Sequence, residues 1–168
     1  MKLRLSLLPA FLVMLLFAFG ACKKGTDAEP ATNYIARDET LITDYIKANN
    51  LTGFVRDSVV YVGITKPGTG PLAKIGQTLV VKYTGTTLDG KVFDQTKETT
   101  IGFPFVLRDV LDPQLDVIKG WAIGFRNLNK GSQATLLIPS ELAYGGTATG
   151  SIPAHAVLRF DVEVINIK

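Results

Sequence analysis

Thr78-Leu79-Val80-Val81-Lys82-Tyr83-Thr84-Gly85-Thr86-Thr87, then Leu88-Asp89-Gly90-Lys91, then Val92-Phe93-Asp94, is the stretch from which the fold is read. Residues 78–87 alternate. Leu79, Val81 and Tyr83 fall on one side and Lys82 on the other, the period of a strand with one buried face. The following Leu-Asp-Gly-Lys is a hairpin signal, because glycine accepts a positive φ. Outward toward the C-terminus, Phe103 to Leu107 reads as a strand. Asp116 to Gly124 reads as a short helix, opened near Pro113 and stopped by Gly124. Gln133 to Ile138 is a further strand. In Val157 to Asn166, Leu158, Phe160, Val162 and Val164 face one way and Arg159, Asp161 and Glu163 the other. Outward toward the N-terminus, Lys66 to Pro71 is a turn cluster and Val59 to Thr65 a β-branched, aromatic strand. The pattern predicts an α+β chain: an antiparallel sheet with one wet face, the other face covered by a single short helix.

Asp38 to Ala48 predicts a helix, with Leu41, Ile42, Tyr45 and Ile46 on one face and Asn49, Asn50 and Gly53 ending it. Its apolar face serves either to pack on its own domain or to dock a partner or a second copy. Lys23 to Asn33 is small and polar and reads as a tether. At about 3.5 Å per residue it reaches a few nanometres when extended. Met1 to Ala21 starts with Lys2 and Arg4 and runs apolar from Leu7 to Phe19, the pattern of an export signal. Gly20 and Ala21 then precede Cys22, the only cysteine. This arrangement resembles a bacterial lipoprotein signal. The resemblance implies cleavage before Cys22, lipidation of Cys22 and a membrane-anchored protein of the cell envelope, facing the periplasm. Phe19 departs from the aliphatic residue usual three places before the cysteine. The alternative is an ordinary secretory signal beside an unrelated cysteine.

Composition narrows the function classes. The chain has 168 residues, 46% hydrophobic and 20% charged, part of that hydrophobicity being the N-terminal block. Without Lys2 and Arg4 the 18 basic residues become 18 − 2 = 16 against 15 acidic, a net charge of +1. No dense basic stripe is present, so nucleic acid is not an expected partner. One cysteine excludes an internal disulfide. One histidine, His155, excludes a multi-histidine zinc site, and no nucleophile-elbow, Walker A or dinucleotide-binding motif occurs. An enzyme built from these residues needs a reaction with little proton transfer and no metal or cofactor.

Five blocks, in order and in register, resemble the FKBP-type peptidyl-prolyl isomerases. They are Val81-Lys82-Tyr83-Thr84-Gly85 with Asp89-Gly90-Lys91-Val92-Phe93-Asp94; Val117-Ile118-Lys119-Gly120-Trp121; Ala143-Tyr144-Gly145; Ile152-Pro153-Ala154-His155-Ala156; and Leu158-Arg159-Phe160-Asp161-Val162-Glu163. The resemblance covers about Val59 to Lys168. It implies a twisted, five- or six-stranded antiparallel half-barrel around one short helix, with a pocket between helix and sheet. The organisation then reads as signal 1–21, tether 22–33, helical extension 34–57 and isomerase domain 58–168.

The same resemblance implies the pocket residues. Trp121 forms the floor under a proline ring, and Tyr83, Phe93, Phe103 and Phe160 the walls. Val117 and Ile118 stand at the helix start, where a backbone group binds the substrate chain. The Ile152 N–H holds a substrate carbonyl and the Tyr144 hydroxyl is a second donor. Asp94 orients the Tyr83 hydroxyl and faces the rotating carbonyl. Pro-containing polypeptides are the expected substrates, and the family's macrolide inhibitors the expected ligands. Each residue taken singly has an ordinary reading: aromatic side chains as core, Asp94 as a turn acid, His155 as a loop histidine. Only their joint register points to a pocket.

Four features depart from the family. Asp116 stands where a glutamate is usual, and Arg108 to Leu115 lengthens the link into the helix, near the pocket rim. Thr99 falls near where some members carry an arginine for the pocket aspartate, and the Gly145 to Ser151 loop is short. Three functions compete: an isomerase assisting folding in the envelope, a non-catalytic proline-binding chaperone or adaptor using the same pocket, and a structural lipoprotein.

Overall fold

The computed structural model describes residues 31–97 and 101–168. The expected export signal, Cys22, most of the expected tether and Thr99 therefore lie outside the described residues. Helix α1 spans Ala31–Ala48. Among the described residues nine strands follow in chain order with one further α-helix: β1 (Phe54–Asp57), β2 (Val60–Lys66), β3 (Thr69–Leu72), β4 (Thr78–Thr87), β5 (Val92–Gln95), β6 (Phe103–Val106), α2 (Lys119–Gly124), β7 (Asn129–Lys130), β8 (Gln133–Ile138) and β9 (Leu158–Ile167).

Seven strands form one antiparallel sheet in the order β1-β2-β8-β9-β4-β5, with β6 also on β4. Strand β4 is its spine. It pairs along its whole length with β9 on one side. On the other, Thr78 to Val81 pairs with β6 and Thr84 to Thr86 with β5. The β4–β5 turn carries Gly90 at φ 87°, the positive value that the Asp-Gly signal anticipates. The alternation read in β4 and β9 governs burial. Leu79 and Val81, and Leu158, Phe160, Val162 and Val164, all face the main core, where Trp121, Ile123 and Phe125 of the α2 region pack on them.

The structure departs from the sequence reading in four places. The sheet has seven strands, because Phe54–Asp57 pairs with β2 and so extends it at one edge. Within the expected turn cluster, Thr69–Leu72 pairs with Asn129–Lys130 as a separate two-stranded ribbon. Helix α1 starts at Ala31 rather than Asp38, inside the expected tether, and α2 starts at Lys119 rather than Asp116. The outer face of the sheet is not wet throughout. Leu137, between the core residues Leu136 and Ile138, points the opposite way and forms a second core with Ile42 and Val157. Continuous Leu-Leu-Ile is the mark of a strand covered on both faces. The apolar face of α1 thus packs on its own domain.

Ile42 is fully buried in that second core. Ile42→Ala is expected to cost about 2–5 kcal/mol in urea unfolding. A loss below about 1 kcal/mol would show that α1 does not dock as described.

Candidate active site

Between α2 and the inner face of the sheet lies a cleft of about 780 Å³. Its size falls in the range of small-ligand sites. Trp121 is at its base, only 4% exposed. Four neighbouring rings stand edge-on or tilted to the indole, which is how aromatic quadrupoles pack: Phe125 at 5.1 Å, Tyr83 at 5.0 Å, and Phe105 and Phe160 at 5.4 Å. Phe160 in turn meets Phe93 at 5.5 Å and 85°. Phe103, half open to solvent, closes the β6 side 6.1 Å from the indole.

Local sequence explains this crowding. Gly85, in the middle of β4, faces Phe93 and Phe160. A β-carbon there would stand 2.6 Å from the Phe93 ring and 2.9 Å from the Phe160 ring. A glycine inside a strand is the signal for such close approach. It identifies Gly85 as a site-shaping residue that the motif reading passed over.

Polar side chains share the lining with these rings. The Tyr83 hydroxyl donates to Asp94 Oδ2 at 2.7 Å, and the Gln95 N–H donates to Asp94 Oδ1 at 2.8 Å, so both carboxylate oxygens are held. Burial above all, then the hydrogen bond to Asp94 and the charge on that carboxylate, raise the Tyr83 phenol well above its ordinary value. The hydroxyl remains protonated at neutral pH and donates to the carboxylate. Tyr144 lines the same cleft, about two-fifths exposed, and its phenol adds to the upward push on that of Tyr83.

Of the residues expected in the pocket, Tyr83, Phe93, Asp94, Phe103, Val117, Ile118, Trp121, Tyr144 and Phe160 all line this one cleft. Ile152 does not. Its N–H is already bonded to the Thr149 carbonyl at 2.9 Å, closing a tight turn through Gly150 and Ser151, and its side chain is buried in the main core. The expectation that this N–H receives a substrate carbonyl is corrected accordingly. The Ile118 N–H, beside Trp121, has no partner among the described residues.

The segment expected to be longer than in the family, Arg108 to Leu115, supplies a wall of its own. Val110, Asp112 and Leu115 line the cleft. Asp109 and Asp112 each accept a backbone N–H two residues on, from Leu111 and Gln114, which folds the insertion into consecutive turns. Arg108 pairs with Asp112 at 3.3 Å. Asp94, Asp112, Asp116 and Glu141 make the rim acidic, against Lys119. Among the described residues no group of three His, Cys, Asp or Glu side chains converges as a metal site.

Comparison with known proteins agrees with this geometry. Residues 70–165, more than half of the chain, match the family model described as FKBP-type peptidyl-prolyl cis-trans isomerase. The chain belongs to the FKBP-type peptidyl-prolyl cis-trans isomerase family. It is 42% identical over 105 residues to the FKBP-type peptidyl-prolyl cis-trans isomerase FkpA of Escherichia coli K12, covering 62% of this chain and 36% of that protein. It is 43% identical over 103 residues to FK506-binding protein 4 of Aspergillus fumigatus, covering 61% of this chain and 20% of that protein. The chain thus spans a fifth to about a third of these relatives' length. The crystal structure of Escherichia coli FkpA superposes with a TM-score of 0.67 at 32% identity, covering 82% of this chain and 61% of that one. A peptidyl-prolyl isomerase structure from Pseudomonas syringae gives 0.64 at 26% identity, covering 83% and 97%. The α+β, FKBP-like fold expected from sequence is therefore the fold of this chain, with α1 added to it.

In this FKBP fold the Tyr83 phenol has a folded pKa above its unfolded value of 10.0. Stability tied to the neutral phenol is then complete below pH 10 and is lost as pH rises through the folded value. Titration of tyrosine absorbance is expected to show the phenol missing from Tyr83→Phe ionising late. Asp94→Asn should move it earlier, though burial keeps it above the ordinary value. Identical curves for wild type and Tyr83→Phe below that late step and through it would contradict the buried, hydrogen-bonded phenol.

Proposed function

We propose that the chain is a peptidyl-prolyl cis-trans isomerase that rotates X–Pro bonds in the Trp121 cleft. The single observation that supports this most is a family fold whose open cleft is floored by Trp121 and lined by Tyr83, Phe93, Phe103 and Phe160. Amide rotation passes through a twisted state about 18–20 kcal/mol above the planar one. At that point resonance is broken, the carbonyl oxygen loses negative charge and the nitrogen becomes pyramidal. Water favours the planar, more polar form. A dry aromatic cup removes that preference, and its shape accepts the twisted one.

The roles divide by position. Trp121 carries the proline ring, and Tyr83, Phe93, Phe103 and Phe160 exclude water around it. Asp94, fixed by Tyr83 and the Gln95 N–H, faces the rotating carbonyl as an oriented dipole rather than a base. The Tyr144 hydroxyl and the Ile118 N–H at the start of α2 hold the substrate chain on either side, with Val117 beside them. No proton changes hands, in keeping with a phenol whose ionisation lies far above neutrality. Macrolide inhibitors of the family fit the same cleft.

The proposed setting is the cell envelope. Uncatalysed X–Pro rotation takes tens of seconds, slow enough to limit the folding of exported proteins. The N-terminal sequence, with its basic start, apolar block and Cys22, supports export and lipid anchoring, with the residues between Cys22 and α1 as the link. Cys22→Ser is expected to move the protein from the membrane to the soluble fraction. Retention on membranes would contradict lipidation.

The activity is tested by proline-isomer exchange on short X–Pro peptides. The wild type should accelerate exchange. Asp94→Ala and Phe160→Ala should each lower kcat/KM by at least about ten-fold, a loss of about 1.4 kcal/mol of transition-state stabilisation. Binding of the peptide with no change in exchange rate would replace this reading with the non-catalytic proline-binding module. Wild-type rates in both folded variants would place the activity elsewhere.

A further inference from the structure

Helix α1 lies outside the residues matched to the family, 70–165, yet its polar side chains end on the loop that carries Tyr144. Asp38 is completely buried. Its Oδ2 accepts both the Ser140 N–H, at 2.8 Å, and the Ser140 hydroxyl, at 2.6 Å. Its Oδ1 is paired with Arg37 at 2.7 Å. A buried carboxylate is tolerated only when its lone pairs are met in this way, and removing its partners leaves the charge uncompensated.

Ser140 is also the hub of the turn that presents Tyr144. Its carbonyl accepts the N–H of Ala143 at 2.9 Å and of Gly145 at 2.8 Å, the residues on either side of Tyr144. The other stem of the loop is held from α1 as well. Arg37 Nη2 donates to the His155 carbonyl at 2.5 Å, and the Tyr34 ring stacks on the His155 ring at 3.6 Å and 2°. His155 in turn donates its N–H to the Gly145 carbonyl at 2.8 Å. It has φ 55°, uncommon for a residue other than glycine, so its conformation depends on these contacts. Both stems are tied to α1, and the Tyr144–Gly145 segment is tied to both stems.

We propose that Asp38 is a positioning residue for the reaction, fixing the Tyr144 hydroxyl at the cleft rim through Ser140. The proposal rests on the isomerase reading of the cleft for its kinetic consequence and on the hydrogen-bond chain for its structural one. A mere anchor for α1 would need only the apolar contacts of Ile42. The buried carboxylate aimed at one backbone turn does something more specific: it sets the loop geometry next to the pocket.

The test is a double-mutant cycle on the full chain, with an X–Pro peptide as substrate and amide hydrogen exchange of residues 143–150 as a second readout. Asp38→Asn is expected to lower kcat/KM about five-fold, to deprotect the loop amides and to leave the sheet amides protected. Tyr144→Phe alone should also cost about five-fold, and adding it to Asp38→Asn should cost less than about two-fold more. Losses that multiply in full would mean that Asp38 does not act through Tyr144 and would overturn the proposal. So would unchanged loop exchange in Asp38→Asn. If Asp38→Asn does not fold, Ser140→Ala, which removes one of the two bonds, takes its place in the same cycle. Should the wild type show no isomerase activity, the functional reading fails separately, and the loop exchange alone decides whether Asp38 holds the turn.

Discussion

The cleft exists because α2 is too short for the sheet it packs on. Six residues of helix extend about 9 Å. The two central strands, β4 and β9, have ten residues each and run about 33 Å. The helix therefore fills only part of the inner face. It fills that part with Trp121, whose indole is held by rings from the sheet and from the turn after α2. The uncovered remainder of the face becomes the cleft, walled by Phe93, Phe103 and Phe160 and roofed at its rim by two loops. Binding surface and core are continuous, so the same aromatic packing that stabilises the domain shapes the site. Few of those rings can be changed without touching both.

That continuity explains what was legible in sequence. The strands that carry the site, β4 and β9, alternate because each has one core face, and their periodicity put Tyr83 and Phe160 on the core-facing sides; the resemblance to the family is what assigned them to a pocket. The Asp-Gly turn was legible as a hairpin, and the structure pairs Asp94 with Gly85 across it. What escaped the reading lacks a local signature. Strand β1 is four residues long and mostly exposed, and shows its identity only by pairing with β2. The ribbon of β3 hides in a Pro/Gly-rich stretch that has every mark of a turn. Ile152 sits in a family block, but its N–H is spent within its own tight turn, a fact of backbone geometry that no side-chain pattern reports. Leu137 carried a signal, as the middle of an apolar run, that the structure makes plain: two faces of β8 are covered.

Helix α1 shows how an added element becomes part of a domain. Its apolar side closes a second core on the outer face, and its polar side reaches around to the loop stems at Ser140 and His155. Each contact on its own is ordinary. Together they couple the N-terminal extension to the rim of the cleft.

The proposed catalysis requires a proline ring resting on Trp121 inside this cup. Intermolecular NOEs between the proline ring protons of a bound X–Pro peptide and the indole of the full chain test it most directly. The account predicts such NOEs to Trp121, Phe160 and Tyr83. A peptide that binds with its proline against any other surface, leaving the indole protons without contacts, would contradict it.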